Sequence, residues 1–152
     1  MTLASVKPLP FVSHDGGRAA AGYDRLADDC VARSIAIALQ RDYQEVCDEL
    51  DYGALFLERK GWERSHPTRG GILTGRRWFQ IYMREYLGLK WHATMGIGSG
   101  CKVHMRVGEI PKRGAFVVRL SQHYTAVVDG TVFDTYDPCR QGLRCVYGWW
   151  HK

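Results

Sequence analysis

Several features that define large classes of protein are missing from this sequence. No uninterrupted apolar stretch approaches the roughly 18 residues that a membrane-spanning helix needs, and no apolar run of signal-peptide length occurs at the start. The five cysteines are an odd number and lack the regular spacing of a small secreted domain. We therefore expect a cytoplasmic protein with reduced thiols and no membrane partner.

Runs of charge, internal repeats and low-complexity segments are also missing. The net charge is +5, but the basic residues are scattered, and the one dense cluster is Arg69, Arg76 and Arg77. Scattered positive charge is more typical of a solvated surface than of a nucleic-acid interface. We therefore expect no nucleic-acid partner. At 152 residues, we expect a single domain with its own core.

The pattern of apolar residues places helices before strands. Residues 1–22 contain several Pro and Gly with little periodicity, which predicts an irregular lead-in before a domain over residues 23–152. Helices are predicted at about 29–40, 42–50 and 75–87, and strands at 90–95, 102–107, 114–120, 123–128, 131–136 and 144–149. This order predicts an α+β fold in which a buried helix of the N-terminal part packs on a C-terminal antiparallel β-sheet.

The first predicted helix begins at a cysteine, Cys30, which follows two suitable N-cap residues, Asp28 and Asp29. Cysteine reacts as its thiolate, and the free N–H groups and dipole of a first helical turn stabilise negative charge. That effect reaches at most ~2 kcal/mol. A nucleophilic Cys30 therefore needs a histidine partner.

The histidine and a carboxylate are predicted on one hairpin. Asp129-Gly130 is a strong signal for a two-residue hairpin turn. Side chains alternate along each strand, so the hairpin carries four polar residues on one face: His123, Thr125, Asp134 and Tyr136. Asp134 then lies diagonally from His123, within reach of its imidazole, whereas Asp137 falls on the other face or beyond the strand.

Cys30, His123 and Asp134 together predict a site for nucleophilic acyl transfer. The thiolate of Cys30 attacks a carbonyl, His123 moves the proton, and Asp134 orients the imidazole. The oxyanion takes the backbone N–H of Cys30 and one further donor. This chemistry needs no metal and no cofactor.

The order of these residues resembles that of papain-like cysteine peptidases. More narrowly, residues 28–36, 119–130, 134–138 and 144–148 resemble a family of small phage- and prophage-encoded proteins with a papain-like fold, over roughly residues 22–150. The resemblance implies a peptidase or isopeptidase that acts on a protein or peptide in the host cytoplasm.

The chain departs from the papain-like pattern at one position. Those enzymes commonly have a glutamine six residues before the cysteine, where its amide donates into the oxyanion hole. Here that position is Asp24, which accepts and does not donate when ionised. Three residues are candidates to replace the missing donor: Tyr23, Arg25 and Gln122.

Three alternatives stay open. Without an oxyanion donor, the chain is an inactive papain-like module that binds a host or virion protein through Trp149, Trp150 and the 69–77 region. Peptidoglycan amidases and endopeptidases also place a cysteine at a helix start before a histidine strand. A zinc site is the third alternative, with four candidate ligands: Cys101, His104, Cys139 and Cys145.

Overall fold

The computed structural model describes residues 6–23, 28–57 and 71–152. Within these ranges the fold is mixed α+β, with three helices and one six-stranded sheet. The helices are α1 (Cys30–Leu39), α2 (Tyr43–Tyr52) and α3 (Arg77–Ile81). Two π-helical turns, Gly53–Leu57 and Tyr82–Tyr86, extend α2 and α3.

Helix α1 is buried on almost every side, as its small and apolar residues predict. Asp29 occupies the N-cap position, as predicted, although its side chain makes no capping hydrogen bond. The helix ends where Gln40 adopts a left-handed conformation. Most of its residues are buried: Val31, Ala32, Arg33, Ser34, Ile35, Ala36 and Ala38.

Helix α2 has Asp42, the first residue of its predicted range, as its N-cap. The Asp42 carboxylate accepts a hydrogen bond from the Glu45 N–H at 3.0 Å, which satisfies one of the free donors of the first turn. Tyr43, Val46 and Leu50 are buried against α1 and the sheet. Helices α1 and α2 therefore form one layer on the sheet.

The strands are β1 (Phe11–Ser13), β2 (Lys90–Ala93), β3 (Ala115–Leu120), β4 (His123–Val128), β5 (Thr131–Asp134) and β6 (Gly148–His151). Their order in the described sheet is β1-β5-β4-β3-β6-β2. β1 pairs with β5 in parallel, and the other pairs are antiparallel. The strands of the C-terminal part are therefore antiparallel, as predicted, and the parallel strand β1 makes the whole sheet mixed.

Strand β1 lies inside the stretch predicted as an irregular lead-in. Three backbone pairs join it to β5, and Leu9, just before it, is buried. The prediction of an irregular segment over residues 1–22 misses this strand, because three residues are too few to show a period. The N-terminal part thus contributes an edge strand to the sheet.

The hairpin of β4 and β5 has the predicted turn and register. Asp129 and Gly130 both have positive φ, 49° and 79°, as a type I′ turn requires. Val128 pairs with Thr131 and Val127 with Val132. Continued by one residue, the same register puts Thr125 opposite Asp134, so His123, Thr125 and Asp134 share one face of the hairpin.

Two clusters of buried residues cover the two faces of the sheet. Val117, Ala126 and Trp150 point toward the helices. Val118, Val127 and Trp149 point the other way, toward the loop residues Leu9, Met105 and Val146. Trp149 and Trp150 are therefore core residues and do not form the contact surface of the alternative binding module. The 69–77 region was the other part of that contact surface, and its Arg69 lies outside the described residues.

Candidate active site

Cys30 is the first residue of α1 and is partly exposed. Its side chain lines a cleft of about 260 Å³ between the start of α1 and the β3–β4 turn. His123, Gln122 and Arg119 line the same cleft. The N–H of Cys30 belongs to the first turn, whose N–H groups have no partner within the helix. The cleft therefore holds a thiol at the start of a helix.

His123 is the first residue of β4 and lies between the thiol and a carboxylate. Its Nε2 is 2.7 Å from Oδ2 of Asp134, and its side chain lines the same cleft as Cys30. Burial lowers the pKa of His123, but hydrogen bonds and charge attraction from Asp134 and Cys30 raise it to about 9. The imidazole is therefore protonated and positively charged at neutral pH.

Asp134 ends β5 and is almost fully buried. One carboxylate oxygen, Oδ2, faces His123, and the other accepts from the Thr135 N–H at 2.7 Å and from Nη1 of Arg33 at 2.9 Å. Burial raises the pKa of Asp134, but the hydrogen bond and charge of His123 and the charge of Arg33 hold it below its usual range. Asp134 is therefore ionised and fixed in orientation.

Tyr136 covers the outer side of the imidazole. Its ring lies 5.1 Å from that of His123, centroid to centroid, at an angle of 41°. This position agrees with the predicted shared face of His123, Asp134 and Tyr136. The tyrosine itself is half exposed, so it separates the His123–Asp134 pair from solvent.

Two buried charged residues that were not predicted to belong to the site, Arg33 and Asp29, are linked to it through Asp134. Arg33 donates to Asp134, and its Nε donates to Oδ1 of Asp29 at 2.7 Å. Asp29 precedes Cys30 and is also almost fully buried. The spacing of four residues between Asp29 and Arg33 on a helix was a usable signal for an ion pair.

Of the two candidate oxyanion donors that the structure describes, Gln122 lies in the cleft and Tyr23 does not line it. Gln122 lines it and has a left-handed backbone, φ 54°, in the β3–β4 turn. The Tyr23 hydroxyl instead donates to Oε1 of Gln44 at 2.7 Å, and its ring packs edge-on against Tyr43. Arg25 lies outside the described residues, as does Asp24. Gln122 is therefore the side-chain donor that the structure brings to the site.

Three of the four candidate zinc ligands lie close together, and Cys139 lies apart from them. Sγ of Cys101 is 3.5 Å from Nε2 of His104, whose backbone pairs with that of Cys145. Cys101 and Cys145 form a disulfide, so the expectation of reduced thiols is wrong for this pair. Cys139 is fully buried next to Leu9, in the core cluster on the second face of the sheet. Among the described residues, no group of three or more His, Cys, Asp or Glu is arranged to hold a metal ion.

The three free cysteines differ sharply in accessibility. Cys47 and Cys139 are buried, and burial raises the pKa of each to about 12. Cys30 is partly exposed in the cleft beside His123. Since all five cysteines are described, Cys30 is the free thiol that a solute can reach.

Comparison of the chain with protein-family models, with curated proteins and with solved structures finds no match. A functional assignment therefore rests on the geometry of the site. In the part of the chain that the structure describes, no helix has both the length and the apolar character needed to cross a membrane.

Proposed function

We propose that this protein is a papain-like cysteine hydrolase that cleaves amide or isopeptide bonds in a protein or peptide. The observation that carries the proposal is that one cleft is lined by both Cys30 and His123, with Nε2 of His123 held by the buried Asp134 carboxylate. A cysteine at a helix start, a histidine on a strand and an acid on the next strand follow the papain-like order. A phage-encoded origin and a host-cytoplasmic substrate belong to the same proposal.

The first half of the reaction forms a thioester. The Cys30 thiolate attacks the substrate carbonyl carbon, and the carbonyl oxygen becomes an oxyanion. The backbone N–H of Cys30 donates to that oxygen, with the Gln122 amide as the second donor. The protonated His123 then gives its proton to the leaving amine as the C–N bond breaks.

The second half releases the acid product. His123, now neutral, takes a proton from a water molecule that attacks the thioester carbonyl. The C–S bond breaks, and the Cys30 thiolate reforms beside the protonated imidazole. Asp134 keeps Nε2 protonated throughout, so that Nδ1 is the nitrogen that exchanges the proton. Each residue thus returns to its starting state.

The proposal is tested first by alkylation with iodoacetamide, followed by mass spectrometry of the cysteine peptides. We expect Cys30 to react much faster than Cys47 and Cys139 at pH 6, and His123→Ala to slow it at least ten-fold. His92→Ala, a change at an exposed histidine of β2, is the matched control and leaves the rate unchanged. A Cys30 rate that follows that of N-acetylcysteine from pH 5 to 9 would overturn the proposal.

Hydrolysis is tested with a library of fluorogenic peptide amides. Cys30→Ser and His123→Ala remove turnover, and Asp134→Ala reduces it while the protein stays folded. Turnover that survives His123→Ala contradicts the assigned roles. Fast alkylation of Cys30 without turnover of any peptide favours instead a papain-like module that binds its partner without cleaving it.

A further inference from the structure

The acid of the proposed triad is shared between two cations. Oδ2 of Asp134 faces His123 at 2.7 Å, and Oδ1 accepts from Nη1 of Arg33 at 2.9 Å. The same Nη1 also donates to Oγ1 of Thr135 at 3.0 Å. The carboxylate is therefore held at both oxygens and has little freedom to rotate.

Arg33 is itself anchored on the helix that carries the nucleophile. Its Nε donates to Oδ1 of Asp29, which also receives Nη1 of Arg18 at 3.2 Å. The Tyr43 hydroxyl donates to the other oxygen of Asp29. The side chains of Asp29, Arg33 and Asp134 are at most 7% exposed. Charges thus alternate in sign along a buried chain from Arg18 to Asp134.

Burial makes this arrangement costly unless every charge is paired. Burial lowers the pKa of Arg33, but the charges and hydrogen bonds of Asp29 and Asp134 raise it above its ordinary value. Arg33 therefore stays charged. Asp29 immediately precedes Cys30 and Arg33 lies three residues after it, so the ion pair brackets the nucleophile on the first turn of α1.

We propose that Arg33, held by Asp29, is a positioning residue. It fixes the orientation of Asp134 and links β5, which ends at Asp134, to the start of α1, where Cys30 lies. This inference rests on the proposed function for its catalytic meaning, but its electrostatic consequence does not. Because Arg33 and His123 compete for one carboxylate, Arg33 makes His123 give up its proton at a lower pH than an unshared Asp134 would allow.

The charged and titratable groups around His123 come from two strands, from helix α1 and from Asp28 just before that helix. Cys30 and Arg33 come from α1, and Asp134 ends β5. Arg119, from β3, lines the same cleft as His123. The hydrogen-bond partner of the ring is Asp134, and Tyr136 packs against the ring. A change at Arg33 therefore reaches His123 through Asp134.

The test is an NMR titration of the His123 imidazole in full-length protein carrying Cys30→Ser, with the signal assigned from His123→Gln. We expect Arg33→Gln to raise the titration midpoint by about one pH unit and Arg33→Lys, which keeps the charge, to leave it nearly unchanged. Arg41→Gln breaks a separate ion pair with Glu49 and serves as the matched control, with no shift. An unchanged midpoint in folded Arg33→Gln protein overturns the proposal.

A second variant covers the case in which Arg33→Gln alone does not fold. Asp29→Asn with Arg33→Gln removes the two opposite charges together, so neither remains buried without its partner. The midpoint still rises, by a smaller amount, because Arg33 is one contact nearer to His123 than Asp29 is. A midpoint that stays constant or falls in this folded double variant also overturns the proposal.

Measurement of kcat and KM distinguishes a positioning role of Arg33 from a role in substrate binding. With Cys30 intact, Arg33→Gln should lower kcat by roughly 10- to 100-fold, since small displacements of a catalytic group cost rate on that scale. KM stays unchanged, because Arg33 is buried and outside the cleft. If no turnover exists but the NMR shift is found, the proposed function fails and the electrostatic role of Arg33 stands.

Discussion

The charge on His123 should make the stability of this protein depend on pH in a defined window. Its pKa is about 9 in the folded protein, against an ordinary value of 6.5. The stabilisation is complete below pH 6.5, where both states bind the proton, and is lost as the pH rises through 9. At about 1.4 kcal/mol for each pH unit between the two values, the loss amounts to roughly 3 kcal/mol.

Urea unfolding at pH 6, 7.5, 9 and 10 measures this loss. The free energy of unfolding is compared between the native chain and His123→Gln, because groups remote from His123 titrate alike in both and cancel in the difference. We expect the difference to fall by about 3 kcal/mol from pH 6 to pH 10, a large part of the ~5–15 kcal/mol typical of a domain. In a Cys30→Ser background the fall is smaller but persists, since Asp134 remains.

A difference that stays constant from pH 6 to pH 10 would refute the reasoning. It would mean that His123 binds its proton equally well in the folded and unfolded states. The 2.7 Å contact with Asp134 would then hold a neutral imidazole, and the charged pair with Cys30 would not form. A fall confined to pH values above 10 would point to tyrosine or lysine instead.

Two further predictions concern stability. Ile35→Asp places a carboxylate at a fully buried position of α1. It should lower the free energy of unfolding by more than about 4 kcal/mol, enough to unfold the protein. The control Ile97→Asp, at a fully exposed position, should leave thermal unfolding followed by circular dichroism unchanged. Reduction of the Cys101–Cys145 disulfide, which spans 44 residues, should lower the free energy of unfolding by up to about 4 kcal/mol. A urea midpoint that does not move on adding reductant contradicts the second prediction, and Cys101→Ser with Cys145→Ser is its control.

Local sequence signals were sufficient to predict the elements whose structure depends on residues that are neighbours in the chain. Asp129-Gly130 fixed the hairpin turn, and the turn fixed the register that brings His123 to Asp134. The bounds of β4 match the prediction at both ends. Helix α1 begins at Cys30, as the polar residues before it predicted. The main parts of the candidate site could therefore be found without coordinates.

The remaining features depend on partners that are distant in the chain. The three residues of β1 have no period of their own and become a strand only by pairing with β5. Cys101 finds Cys145 across 44 residues, and no spacing rule selects that pair from five cysteines. The contact of Arg33 with Asp134 spans 101 residues. It exists because α1 lies across the hairpin, a packing that composition and periodicity do not encode.

The packing of α1 on β4 has a consequence for how the cleft can move. Helix α1, which carries Cys30, and strand β4, which carries His123, contribute to the same hydrophobic core, through Ile35 and Ala126 respectively. Pulling the sulfur and the ring apart would require that core to open, an event as rare as unfolding of the whole molecule. Cys30 and His123 are thus in place before a substrate binds. Backbone amides of β4 should therefore be among the slowest in the protein to exchange with deuterium.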